Sequence, residues 1–291
     1  MKSYWESDYL DLISHVIDTG EDRDDRTGVG TISIFGDTQH IDLKLGFPAL
    51  TTRKLQWRPM VAELLWFLEG SSDERRLAEI QYGKPREELI GKNTIWTANA
   101  DKQGKDLGYT NTDLVKELGP VYGVQWRNYN GFDQIKNLVD GLKNNPHSRR
   151  HFVSAWNVSE LQNMALPPCH LSFQMYLGNK GLSTSVYMRS NDIVLGKPFN
   201  IASYALLNHM VASYLDVEAD KLIITTGDTH IYKNHIQGVT EQFEREIYDS
   251  PTLKLPKIES FDIDYIKTLS VDNFVLEGYK CHPAIKFPMA V

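Results

Sequence analysis

The sequence predicts an α+β fold in a single domain. Strand-like runs (HFVSAWN, LSFQMYLG, LSTSVYMRS and KLIITTGD) sit beside a few long apolar helices and do not alternate with them as βαβ units would. Neither a Pro/Ser/Gly-rich linker nor an internal repeat of about 20–50 residues divides the chain. With 41% hydrophobic and 24% charged residues, its 291 residues suffice for one large core.

Each element follows in order. The segment to about Ile17 has helical spacing (Leu10, Leu12, Ile13, Val16, Ile17), and the charged loop EDRDDRTGVG leads into the alternating strand TISIFG. Pro59 marks the start of a helix, RPMVAELLWFLEG, that is apolar on nearly all sides until Gly70 and is therefore expected to be buried. From Ser72 to Asp113 the chain turns polar and charged, which reads as surface insertion. DQIKNLVDGLKNN repeats apolar residues at helical spacing until NPHSRRH breaks it. NIASYALLNHMVASYL reads as a long apolar helix with Asn200 at its start, and THIYKNHIQGVTEQFERE as an amphipathic one beginning just after Asp228.

Lys+Arg 31 against Asp+Glu 38 gives a net charge of −7, so no overall field attracts nucleic acid, and any phosphate site must be local. The opening MKSYWESDYLDLI lacks the basic start and apolar run of a signal peptide, and no stretch reaches about 20 apolar residues. A cytoplasmic location, away from membranes, is the expectation. Two cysteines, Cys169 and Cys281, are too few for a disulfide framework and fit a reducing compartment.

Four features carry candidate chemistry. Cys169, in LPPCHLSFQMYL, is stiffened by two prolines and followed by His170, which suits a positioned nucleophile; a buried structural thiol is the alternative. Nearby positive charge would lower its pKa, and Arg149, Arg150 and Arg189 are available if they share its site. Glu63 is an ionisable group in an apolar helix, either a proton relay or a carboxylate pointing outwards. Arg149 and Arg150 offer planar forks to a phosphate, or form a charged turn. His230 and Tyr232 stand two apart, placed to read sugar hydroxyls or to pack. No metal set accompanies His147 and His151, and RTGVGT lacks the spacing of either nucleotide loop.

The order of DRTGVGT, FPALTTRK, AELLWFLEG, IWTANAD, LGPVYGVQWR, SRRHFVSAWN, MALPPCH, RSNDIVLGKPFNIASYALL, GDTHIYKNH and a terminal MAV resembles the thymidylate synthase family over nearly the whole chain. The resemblance implies that family's fold, a large mixed sheet packed by helices whose free face forms a homodimer interface. It also implies conversion of dUMP to dTMP with 5,10-methylenetetrahydrofolate as one-carbon donor and reductant, without a metal. Cys169 then matches the nucleophile, Glu63 the proton-moving glutamate, Tyr122 the tyrosine of the water network, and His170 the residue following the nucleophile. Arg26, Arg189 and Ser190 match phosphate-binding positions, with Arg149 and Arg150 donated across the dimer. Asn200 matches the base reader, and His230 and Tyr232 the ribose readers. Asp192 matches the pterin-binding aspartate, Trp96 a folate-packing residue, and Val291 the terminus that closes over the site.

Departures concentrate on the folate side: Asn99 where a second tryptophan is common, Thr226 for the first of two glycines, Arg53 for a lysine, and Asn191 where cysteine is frequent. Stretches 72–93 and 109–116 look like inserted surface loops. Because Asn99 and Thr226 offer polar groups that could admit water, a dUMP hydroxymethylase is the alternative function. A catalytically silent nucleotide-binding homologue is disfavoured by Cys169, Glu63 and Asn200 together.

Overall fold

The computed structural model describes residues 4–25 and 28–288; Arg26 and Val291 lie outside them. Along the chain run α1 (Tyr4–Thr19), β1 (Glu21–Arg23), β2 (Thr31–Asp42), α2 (Trp57–Glu69), α3 (Glu74–Tyr82), α4 (Thr97–Asn99), α5 (Tyr122–Arg127) and α6 (Gln134–Asn144). There follow β3 (Phe152–Ser154), β4 (His170–Gly178), β5 (Gly181–Asp192), α7 (Gly196–Leu215), β6 (Ala219–Tyr232), α8 (Ile236–Phe243), β7 (Thr252–Lys254), α9 (Ile263–Ile266) and β8 (Val275–Glu277).

Six strands form one mixed sheet in the order β1-β2-β6-β5-β4-β3, and β7 pairs with β8 separately. β5 and β6 run parallel, with α7 as their crossover; the other neighbours are antiparallel. α1 and α7 cover one face of the sheet, and α2 packs on α3, α5 and α7. The apolar periodicity explains this: Tyr9, Ile13 and Val16 of α1 and Val186, Leu222 and Ile224 of the strands are all buried. Phe35, Phe152, Tyr176 and Tyr187 remain exposed on the strands.

Gly227 shows how closely the central strands approach. A Cβ there would lie 2.9 Å from the carbonyl oxygen of Arg189 on β5, a backbone atom that has no room to yield. Across this glycine the buried positions of β6 step from Leu222, Ile224 and Thr226 to Thr229 and Ile231, leaving His230 and Tyr232 partly open.

Four expectations need correction. The helix placed just after Asp228 begins at Ile236, because β6 continues to Tyr232, paired on both sides with β2 and β5. Asn200 lies inside α7, which starts at Gly196. The charged loop before the first long strand contains β1. The 72–93 stretch is no simple surface loop: α3 buries Glu74, Arg75, Leu77 and Ala78, since Glu74 and Arg75 neutralise each other and let a charged sequence turn inwards. In the second stretch Lys116 is buried as well, its ammonium on Asp101.

Candidate active site

Cys169 ends the Pro167-Pro168 turn immediately before β4. The turn is pinned by Arg189 of neighbouring β5, whose Nε donates to the Pro168 carbonyl at 2.8 Å and whose Nη2 donates to the Pro167 carbonyl at 3.0 Å. The Cys169 backbone N–H donates to the Tyr122 hydroxyl at 2.7 Å. Arg189 Nη2 stands 4.0 Å from Sγ. Burial pushes the thiol pKa up, against the downward pull of the Arg189 charge and of the Tyr122 hydrogen bond. Of the three arginines that could lower the thiol pKa if they shared its site, Arg189 shares its surroundings; Arg149 and Arg150 are exposed and do not line the cleft.

The cleft has a volume of about 380 Å³. One wall comes from the sheet and the start of α7: Met188, Ser190, Asn191 and Asp192 of β5, His230 and Tyr232 of β6, then Leu195, Gly196, Phe199 and Asn200. The other comes from α2, α5 and the segment before α4: Glu63, Ile95, Trp96 and Tyr122, with Leu166 beside Cys169 and His170. Expected site residues Cys169, Glu63, Tyr122, His170, Ser190, Asn200, His230, Tyr232, Trp96 and Asp192 thus meet in one cleft. Arg23, Asp24, Asp25 and Thr31 form a polar recess beside it that shares Ser190, His230 and Tyr232.

Glu63 faces the cleft, which settles its orientation on α2. Burial pushes its carboxyl up to about 7, while the Trp96 indole N–H, donating to Oε1 at 2.6 Å, pulls it down. A carboxyl poised there both accepts and releases a proton near neutral pH. His170 is the opposite case: burial holds it down to about 3, so the ring is neutral at pH 7. Its Nδ1 meets the Tyr204 hydroxyl at 2.7 Å, and it stacks on Tyr122 at 4.1 Å. Tyr204 was missed in the sequence. Its signal was a hydroxyl on the apolar α7, one turn beyond Asn200, where a buried tyrosine needs a partner.

On the sheet wall, Asp192 Oδ1 accepts the backbone N–H groups of Val194 and Leu195 at 2.9 and 3.1 Å, which fixes the β5–α7 turn. Arg53 braces that turn from behind, donating to the Val194 carbonyl and, at 3.1 Å, to Gln242 Oε1. His230 Nδ1 lies 2.8 Å from Asp228 Oδ1, which orients the ring. Asn191 Oδ1 is buried without a hydrogen-bond partner among the described residues. The departures Asn99 and Thr226 do not line the cleft. Thr226 is buried with its hydroxyl 2.7 Å from that of Thr229, and Asn99 ends α4 three residues beyond Trp96, its amide 3.4 Å from Gln103 Oε1.

A profile of the thymidylate synthase family matches residues 7–291. The chain belongs to the thymidylate synthase family. It is 49% identical over 284 residues to the "Probable thymidylate synthase" of Escherichia phage T5, covering 97% of this chain and 99% of that one. It is 46% identical to the thymidylate synthase of Corynebacterium aurimucosum over the full length of both. The crystal structure of thymidylate synthase from T4 phage superposes with a TM-score of 0.89 at 44% identity, covering 97% of this chain and 99% of that one. Family membership and the cleft agree: ten of the motif residues scattered between positions 63 and 232 meet in it, and Arg149 and Arg150 stand outside it.

Proposed function

We propose that the chain methylates dUMP to dTMP with 5,10-methylenetetrahydrofolate, releasing dihydrofolate. The observation that carries this reading is the placement of Cys169 between Tyr122 and Arg189, in the cleft that also holds Glu63 and Asn200. The folate supplies, when bound, the one-carbon unit and the reducing hydride. The walls fit both molecules. Ile95, Trp96, Leu166, Leu195 and Phe199 give apolar surface for a flat heteroaromatic ring, and Asn191 Oδ1, buried and without a partner among the described residues, can accept from a ligand N–H.

In this reading Cys169 Sγ adds to C6 of the uracil, with Arg189 favouring the thiolate that burial alone disfavours. Glu63 moves protons at the uracil carbonyl and the folate amine. Tyr122 holds the Cys169 backbone and supports removal of the C5 proton. Neutral His170, fixed by Tyr204, stacks on Tyr122 and holds that ring in place beside the thiol. Asn200 reads the base edge, His230 and Tyr232 the ribose, and Ser190 and Arg189 the phosphate, with Arg26 also assigned to it. Asp192 and Trp96 hold the folate, and Val291 closes the site. The hydroxymethylase reading loses its motive, since Asn99 and Thr226 stand away from the cleft lining.

Arg149 and Arg150 act in trans within a homodimer. Their exposure away from their own cleft, and the exposed Phe35, Phe152, Tyr176 and Tyr187 on the strands, support that assembly. The test incubates the protein with dUMP and methylenetetrahydrofolate, follows dihydrofolate absorbance and weighs the nucleotide product. Mass corresponding to 5-hydroxymethyl-dUMP would refute methylation. Mixing an Arg150 variant with a Cys169 variant is expected to restore activity through hybrid dimers with one complete site, and failure despite subunit exchange would refute trans donation.

A further inference from the structure

We propose that the buried Glu74–Arg75 pair is a positioning device that holds the Trp96 indole on Glu63, a reading that rests on the roles given to Trp96 and Glu63 above. The geometry is a closed circuit of hydrogen bonds that begins and ends on α2. Trp96 Nε1 donates to Glu63 Oε1 at 2.6 Å. The turn carrying Trp96 is locked by two threonines. The Thr94 hydroxyl accepts the Trp96 backbone N–H at 3.2 Å, and the Thr97 hydroxyl accepts the Thr94 backbone N–H at 2.8 Å. Both hydroxyls donate to the same oxygen, Glu74 Oε1, at 2.6 Å each. With the hydroxyl protons committed to Glu74, their oxygens present lone pairs to the turn.

Glu74 in turn is fixed. Arg75 Nε and Nη2 grip its two oxygens at 2.6 and 2.7 Å, and Arg75 Nη1 donates to the carbonyls of Leu89 and Lys92, drawing the 83–93 connection over the pair. The circuit closes through Asp73, whose carbonyl accepts the Trp66 indole N–H at 3.1 Å, one turn along α2 from Glu63. Glu74 is wholly buried and Arg75 nearly so. A buried ion pair is weak evidence for stability, since apolar residues of similar volume often serve as well, and what this pair adds is the set of hydrogen bonds that fix the Trp96 turn. The charged insertion therefore serves the cleft. It presents an indole donor at fixed distance to a carboxyl whose protonation the reaction needs.

The test uses Thr94→Val/Thr97→Val, which cuts the turn from Glu74 while leaving the ion pair whole. The Trp96 indole ¹H–¹⁵N signal, assigned with Trp96→Phe, is followed against pH. In the wild type it is expected to titrate with a midpoint near 7, reporting Glu63. Loosening the indole removes stabilisation of the carboxylate, so in the double variant the midpoint is expected to rise by roughly one pH unit. Thr94→Ser/Thr97→Ser keeps both hydroxyls and should return it. An unmoved midpoint in the valine variant overturns the proposal, even if thermal stability falls. Should the double variant not fold, Thr97→Val alone must raise the midpoint by a smaller amount, and no rise overturns the proposal equally. The pH profile of turnover separates the two readings: a shifted indole midpoint with an unshifted profile supports the positioning and refutes Glu63 as the proton relay.

Discussion

On the sheet side of the cleft, Ser190, Asp192, His230 and Tyr232 ride on β5 and β6, whose backbones pair from Leu182↔Ala219 to Asp192↔His230. On the helical side, Trp96 sits beside a three-residue helix in a charged stretch, held by the side chains of Glu74, Thr94 and Thr97. The first wall is positioned by main-chain ladders that any sequence of the right pattern would make. The second depends on a few side-chain bonds around one buried carboxylate. Point substitutions should therefore act differently on the two walls, on the sheet side through the one atom removed and on the helical side through several neighbours at once.

The sharpest sheet-side change is Cys169→Ala. It is expected to lower turnover by more than about 10³-fold, since the addition step has no substitute, while dUMP binding measured by calorimetry stays nearly unchanged. A large loss of binding would mean that the sheet wall had deformed, and the comparison would fail.

Next is the buried pair that ties α7 to β2, Lys197 Nζ to Asp37 Oδ2 at 2.8 Å. The Lys197 side chain has no exposure and that of Asp37 19%, so the two truncations are unequal. Asp37→Asn strands a buried ammonium and should cost about 3 kcal/mol in urea unfolding, whereas Lys197→Met leaves a carboxylate that water reaches and should cost about 1 kcal/mol. Equal losses would refute this asymmetry.

A stability slope comes from Glu63. Its pKa is raised from 4.5 unfolded to about 7 folded, so between those values the native state holds the extra proton. Its contribution is therefore full below about 4.5 and is lost as pH rises through about 7. Glu63→Gln removes this dependence. Relative to that variant, the wild type should lose up to about 3 kcal/mol between pH 4.5 and 7.5, and parallel stability curves would refute the assignment.

The same contrast decides what the sequence made legible. Strand alternation and the apolar helices read correctly because each is a local periodicity, and the Pro-Pro-Cys turn and RSND strand end marked Cys169, Arg189, Ser190 and Asp192. Glu63 stood out because a carboxylate among apolar neighbours demands a partner, yet only the fold reveals that the partner is Trp96, 33 residues away. The 72–93 stretch misled because composition alone cannot tell a solvated Glu-Arg pair from one that neutralises itself and buries. THIY misled for a related reason: a strand paired on both sides overrode the local helical reading after Asp228.

The crossover of strand order also has a consequence for synthesis. β2 leaves the ribosome complete at Asp42, but its central partner β6 begins only at Ala219, and until then β1 alone covers one edge. At about 5–20 residues per second, β2 waits roughly 10–35 s with its other edge unpaired. The nascent chain is thus most vulnerable to aggregation before the strand that carries His230 and Tyr232 emerges. The stretch that completes the cleft is also the one that ends this hazard.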